Sequence, residues 1–137
     1  MDPIAATIAL LKLDADLRVL VGDRIYGEEL PCGESKYQPR GAVVLRHAPN
    51  GLLVGGYLEF DWTGFDVFCN GATPKDAVDI YLEVKRILKR ARRQVVQETL
   101  IHSFDMVAGG RGLREPATHW PYTLSSWTVL AAENQAV

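Results

Sequence analysis

The segment from Thr73 to Ala91 limits what this chain can fold into more than any other. Thr73 offers a hydroxyl as N-cap, Pro74 sits at the first helical position where its missing N–H costs nothing, and Asp76 brings a carboxylate into the first turn. Ala77, Ile80, Tyr81, Val84, Ile87, Leu88 and Ala91 then recur at helical spacing. The spacing predicts a long amphipathic helix over 74–92. An apolar stripe that long has to be buried against a second layer, so the rest of the chain must supply one.

The rest reads as strands. Ala42 to Ala48 is apolar and β-branched, and Asn50-Gly51 is a turn signal. In Leu58-Glu59-Phe60-Asp61-Trp62 apolar and acidic residues alternate, the period of a half-buried strand. Past Thr63-Gly64 the parity changes, with Phe65, Val67 and Cys69 apolar, which predicts a β-bulge at Thr63 or Gly64 or a tight turn dividing the run. After Arg93, the residues Val96, Leu100, His102, Phe104 and Met106 mark another strand, and Tyr122 to Ala131 the last. Ahead of all these, Asp2-Pro3 caps a helix carrying Ile4, Ile8 and Leu11. A second helical turn runs from Ala15 to Val21, Gly22 stops it, and Arg24 to Tyr26 forms a brief strand.

The order α-α-β-β-β-α-β-β predicts an α+β fold: a mainly antiparallel mixed sheet with one long amphipathic helix packed on one face and a short N-terminal helical segment. That segment either joins the helical layer or docks on a neighbouring subunit. A length of 137 residues suits a single domain with a core of its own, and the tail from Glu133 to Val137 is expected to fray.

Chemistry is hard to find in this sequence. His47, His102 and His119 fall on separate elements without metal-ligand spacing. Ala108-Gly-Gly-Arg-Gly-Leu113 lacks the Gly-Lys-Ser/Thr ending of a phosphate loop and reads as a flexible hairpin loop. Ser103, Ser125 and Ser126 have no nucleophile elbow. Glu59 and Asp61 would stand roughly 7 Å apart on one strand face, more in keeping with a solvated or interfacial pair than with catalysis. We therefore expect no catalytic residues, no metal site and no cofactor. A net charge of −2 disfavours a general nucleic-acid binder. Cys32 and Cys69 form neither a CxxC pair nor a disulfide framework, so reduced thiols in a product made in the cytoplasm are expected. No apolar run reaches the ~18 residues of a membrane span, and the N-terminus has no basic leader, so no membrane partner is expected.

What stands out instead is charge on long connections. Residues 27–41 and 108–121 read as oversized loops in a domain where connections of ~4–6 residues are usual. The first carries Glu28, Glu29, Glu34, Lys36 and Arg40, the second Arg111, Arg114 and Glu115. Lys85, Arg86, Lys89, Arg90, Arg92 and Arg93 crowd cations into the end of the long helix. They complement the helix dipole there, or they dock that end on an acidic surface of another subunit or partner; contact with DNA is a third option. Candidate interface residues are thus Glu28, Glu29, Lys36, Arg40, Glu59, Asp61, Arg90, Arg93, Arg111, Arg114 and Glu115.

Ile4-Ala-Ala-Thr-Ile-Ala-Leu-Leu, followed by Leu17-Arg-Val-Leu-Val-Gly-Asp-Arg-Ile-Tyr26 and a loop bearing Pro31 and Pro39, resembles the opening of phage tail-terminator (tail completion) proteins. The capped helix from Thr73, the strand from Ile101 to Val107, the Gly-rich loop and Trp120 before the last strand follow in the same order. Val21-Gly-Asp-Arg-Ile-Tyr26 is the most specific piece. The resemblance implies a structural virion protein at the junction of tail and neck and no catalysis. It would be a homo-oligomeric ring, typically a hexamer, that ends the tail tube and meets the tube protein on one side and a neck stopper or adaptor on the other. DNA would pass through the lumen without specific binding. Related parts occur in gene transfer agents and tailocins. The rival expectations are another neck component, an adaptor or stopper, and a small ligand-binding domain or enzyme. The long helix disfavours the small β-barrel of a stopper.

Overall fold

A computed structural model describes residues 2–48 and 60–133, with the side chains of Ser35, Phe60, Asp61 and Glu133 left aside. The Asn50-Gly51 turn, Glu59 and the end of the tail expected to fray lie outside the described residues. Helix α1 spans Pro3–Lys12 and α2 Ala15–Val21; strands β1 (Ile25–Gly27), β2 (Ala42–His47) and β3 (Phe60–Asn70) follow. Helix α3 covers Pro74–Arg90, and β4 (Gln94–Val96), β5 (Thr99–Arg114) and β6 (Pro121–Glu133) complete the order.

The helix starts form as their sequences require. Asp2 accepts from the N–H groups of Ile4 and Ala5, Asp14 from Leu17, and Thr73 Oγ1 from Asp76, so each cap satisfies backbone donors that the first turn leaves open. One sheet holds these strands in the order β1-β2-β3-β6-β5-β4. Among them β1 and β2 run parallel, and every other neighbouring pair is antiparallel. The α+β fold with a mainly antiparallel mixed sheet is therefore as the sequence predicts.

Helix α3 lies on β3, β5 and β6, while α1 touches β1 and β2 near one edge and β4 and β5 near the other, so the sheet curls around its helices. The N-terminal helix thus joins the helical layer, burying Ile4, Leu10 and Leu11. Alternate residues of β6 point inward, with Thr123, Ser125, Trp127, Val129 and Ala131 buried. Trp127 packs among Phe65, Leu45, Leu88 and Ile101 in the same core, where Phe65 and Phe104 meet edge to face at 6.2 Å.

Three expectations are corrected. β3 pairs with β6 without interruption from Phe60↔Ala132 to Asn70↔Tyr122, so Thr63-Gly64 holds neither bulge nor turn. The parity change arises because Trp62 lies on the outer face with Asp66 and Phe68, 37% exposed, while Phe65, Val67 and Cys69 face the helices. Second, the run after Arg93 is a hairpin rather than one strand: β4 and β5 join through Gln97 and Glu98, both at positive φ (49° and 61°). Neither residue type announces a two-residue turn of that kind. Third, the loop expected over 108–121 shrinks to residues 115–120. Gly109, Gly110 and Gly112 lie within β5, whose register against β6 shifts between Ile101 and Ser103, between Met106 and Ala108, and between Ala108 and Arg111. One of these glycines has a packing reason: a Cβ at Gly110 would lie 2.7 Å from the Tyr81 ring of α3.

Candidate assembly surface

The face of the sheet turned away from the helices carries a groove of about 440 Å³ at the end where β3 finishes and β6 begins. Alternation along the strands builds its floor. Val44 and Arg46 come from β2, Phe68 and Asn70 from β3, and Tyr122 from β6. Val44 pairs with Phe68 and Asn70 with Tyr122, which sets the rings of Phe68 and Tyr122 5.8 Å apart and tilted. The Arg46 guanidinium lies over Phe68 at 5.7 Å.

The two loops singled out in the sequence form its walls. Glu28, Glu29 and Leu30 stand on one flank, and Glu115, Pro116 and Trp120 on the other. The first loop leaves β1 beside β2, where Glu28 donates its N–H to the Leu45 carbonyl at 2.7 Å. Farther along, buried Glu34 holds it together: Arg40 Nε and Nη2 reach its two carboxylate oxygens at 2.5 and 2.7 Å. Tyr26 and Gln38 donate more distantly to the same carboxylate, and the Arg40 guanidinium covers the Tyr37 ring at 4.9 Å. The paired Arg40 guanidinium lowers the Glu34 pKa below its usual value, against the effect of burial.

The second loop is pinned just as locally. Glu115 accepts from the N–H groups of Thr118 and Ala117 and from the Thr118 hydroxyl, bonds that lower its pKa, those of Thr118 most. Its backbone exchanges with the loop's far side, Glu115 N to Trp120 O and His119 N to Glu115 O. Arg114 closes the turn through Nη1 to the His119 carbonyl at 2.9 Å.

Of the candidate interface residues, the fold brings Glu28, Glu29 and Glu115 together at this groove. Lys36 is exposed on the short helical turn Ser35–Tyr37, and Arg40 is engaged within its own loop. Arg111 is exposed on β5 opposite Leu124, and Arg114 ends that strand. Arg90 and Arg93 are exposed at the far end of α3. Asp61 is described only as backbone paired with Ala131. The floor residues Arg46, Phe68 and Tyr122 escaped the sequence reading. Aromatic groups at outward positions of strands were the available signal.

Elsewhere several polar groups have structural partners. The basic cluster is not uniform: Arg86 binds Glu83 and Asp14 at 2.8 and 2.9 Å and approaches Asp16, tying α3 to the N-cap of α2. Asp14, Asp16 and Glu83 stand close enough to surround a cation, and the Arg86 guanidinium already occupies that place. At Asp14, desolvation pushes the pKa up, but the Leu17 N–H and Arg86 outweigh it and lower the net value. Ser126 donates to Asp66 at 2.6 Å, and Ser125 accepts from the Trp127 indole at 2.9 Å. Burial pushes the Cys69 thiol up, which keeps it protonated and unreactive. Among the described residues no helix is long and apolar enough to cross a membrane.

No protein-family model matches the sequence, and no curated protein matches it. Among solved structures the fold is similar to a chain of one titled "Virion of native gene transfer agent (GTA) particle". The two share 16% identity with a TM-score of 0.74, over 95% of this chain and 94% of that one, so they share a fold from end to end.

Proposed function

We propose that this chain is a structural virion protein of the tail-terminator type. In this reading it forms a ring, typically of six copies, that ends the tail tube and joins it to a neck stopper or adaptor, with DNA passing through the lumen unbound. One observation carries the proposal: the fold agrees over almost the whole length of both chains with a component of a gene transfer agent virion, at a TM-score of 0.74. The element order and the Val21-Gly-Asp-Arg-Ile-Tyr26 segment, which resemble tail terminators, support it independently.

The surface suits such a role. Two internally braced loops set carboxylates around a floor that carries the Phe68 and Tyr122 rings, which favours docking a partner over turning over a substrate. A deletion of the gene tests the proposal in the system that produces the particles. Filled heads lacking attached tails, together with tubes of irregular length, are expected, and wild-type chain supplied in trans restores normal particles. Particles of normal number and tail length from the deletion strain would reject it.

A further inference from the structure

We infer that the groove receives the cationic end of α3 from a second copy of this chain, which makes the contact between neighbouring copies head-to-tail; the inference rests on the ring reading above. The first support is that charges without an ion pair gather by sign at two separate places. Arg86, Arg40 and Arg18 each have a carboxylate partner within the chain. Lys89, Arg90 and Arg93 at the end of α3 are exposed and have no ion pair among the described residues; nor do Glu28 and Glu29. Among the described residues at the groove, the carboxylates of Glu28, Glu29 and Glu115 face one guanidinium, that of Arg46, so its rim is acidic.

Topology keeps these two sets apart. Helix α3 begins just after Asn70, at the groove end of the sheet, and runs back to deliver Arg90 beside β4, near the opposite end where β5 starts. The groove lies on the outer face and α3 on the inner one. β3 alone spans 11 residues, on the order of 33 Å, several Debye lengths at physiological salt. The two sets therefore cannot neutralise each other within one molecule, and they can between two. Because the patches sit on opposite faces as well as opposite ends, a two-fold dimer cannot satisfy both pairs at once. A heterologous contact can, and it builds a ring when the rotation from copy to copy closes. The floor suits the guest: lysine and arginine stems lie along apolar rings while their heads reach carboxylates, and Arg46 over Phe68 already shows the mode.

The test is a charge swap followed by native mass spectrometry and sedimentation velocity, with and without tail tubes. E28K/E29K and R90E/R93E should each weaken self-association on the order of 100-fold, whereas the chain carrying all four reversals regains assembly to within about tenfold of wild type. Circular dichroism melts confirm that each variant folds. The neutral pair E28Q/E29Q, the milder probe, should lose less affinity and most of its salt dependence. The inference is overturned if the reversals leave assembly unchanged, if the fourfold variant assembles no better than the single-patch ones, if a closed dimer forms, or if the wild type stays monomeric with tubes present. Mass spectrometry of purified particles judges the virion reading separately. Presence there with assembly insensitive to the swaps removes only the contact between the groove and the end of α3, and absence there removes the ring.

Discussion

Glu34 shows how one residue fixes a candidate binding wall. Its carboxylate is buried and its pKa is lowered, chiefly by the Arg40 hydrogen bonds. A folded-state value below the unfolded one contributes stability that is present above the unfolded Glu range, about 4.3, and is lost as pH falls through the lowered folded value. Thermal melts from pH 7 to pH 3 should show wild-type stability falling at the acid end, and Glu34→Gln should flatten that part of the curve while lowering Tm near neutrality. Gly110 makes the complementary point about packing. Adding a methyl there drives it into the Tyr81 ring, so Gly110→Ala should cost about 1–3 kcal/mol by denaturant unfolding. Combined with Tyr81→Leu the loss should be less than the sum of the two single changes, because both act on one contact. Neither role was legible in the sequence. Glu34 reads there as one more loop charge, and Gly110 as part of a flexible hairpin loop, because each depends on a partner distant in the chain or hidden by burial.

At the scale of elements, what the sequence revealed follows the reach of the interactions. α3 was legible because its cap and apolar stripe are local signals, and Thr73→Ala should cost about 1 kcal/mol of stability by removing the hydroxyl that accepts from Asp76. The β4–β5 turn was not legible, because Gln97 and Glu98 adopt positive φ against their own preference. The double change Gln97→Asn with Glu98→Gly puts residue types that favour positive φ into the turn. It should therefore raise stability by about 0.5–1 kcal/mol, as read from the shift in denaturation midpoint. The outer course of β5 was hidden for a different reason. Glycine signals a loop locally, yet pairing with β6 carries Gly109, Gly110 and Gly112 along as strand. Trp62 misled in the same way, since a large apolar group on an outward face mimics a change of phase.

For the whole molecule, the candidate site was legible in part. Both loops drew notice through their charge and length, and the fold brings Glu28, Glu29 and Glu115 to one groove. Their convergence came from strand order, which no local pattern encodes: β1 lies parallel beside β2, and β6 inserts between β3 and β5. The apolar floor of Phe68 and Tyr122 follows from the same pairing. End-to-end agreement with a chain of a gene transfer agent virion gives the assembly reading its main support. The most direct measurement is electron microscopy of purified protein mixed with tail tubes of the same particle. The account predicts a ring of copies seated on one end of each tube and absent from the other end and the tube wall. Tubes with bare ends, or protein scattered along their length, would contradict it.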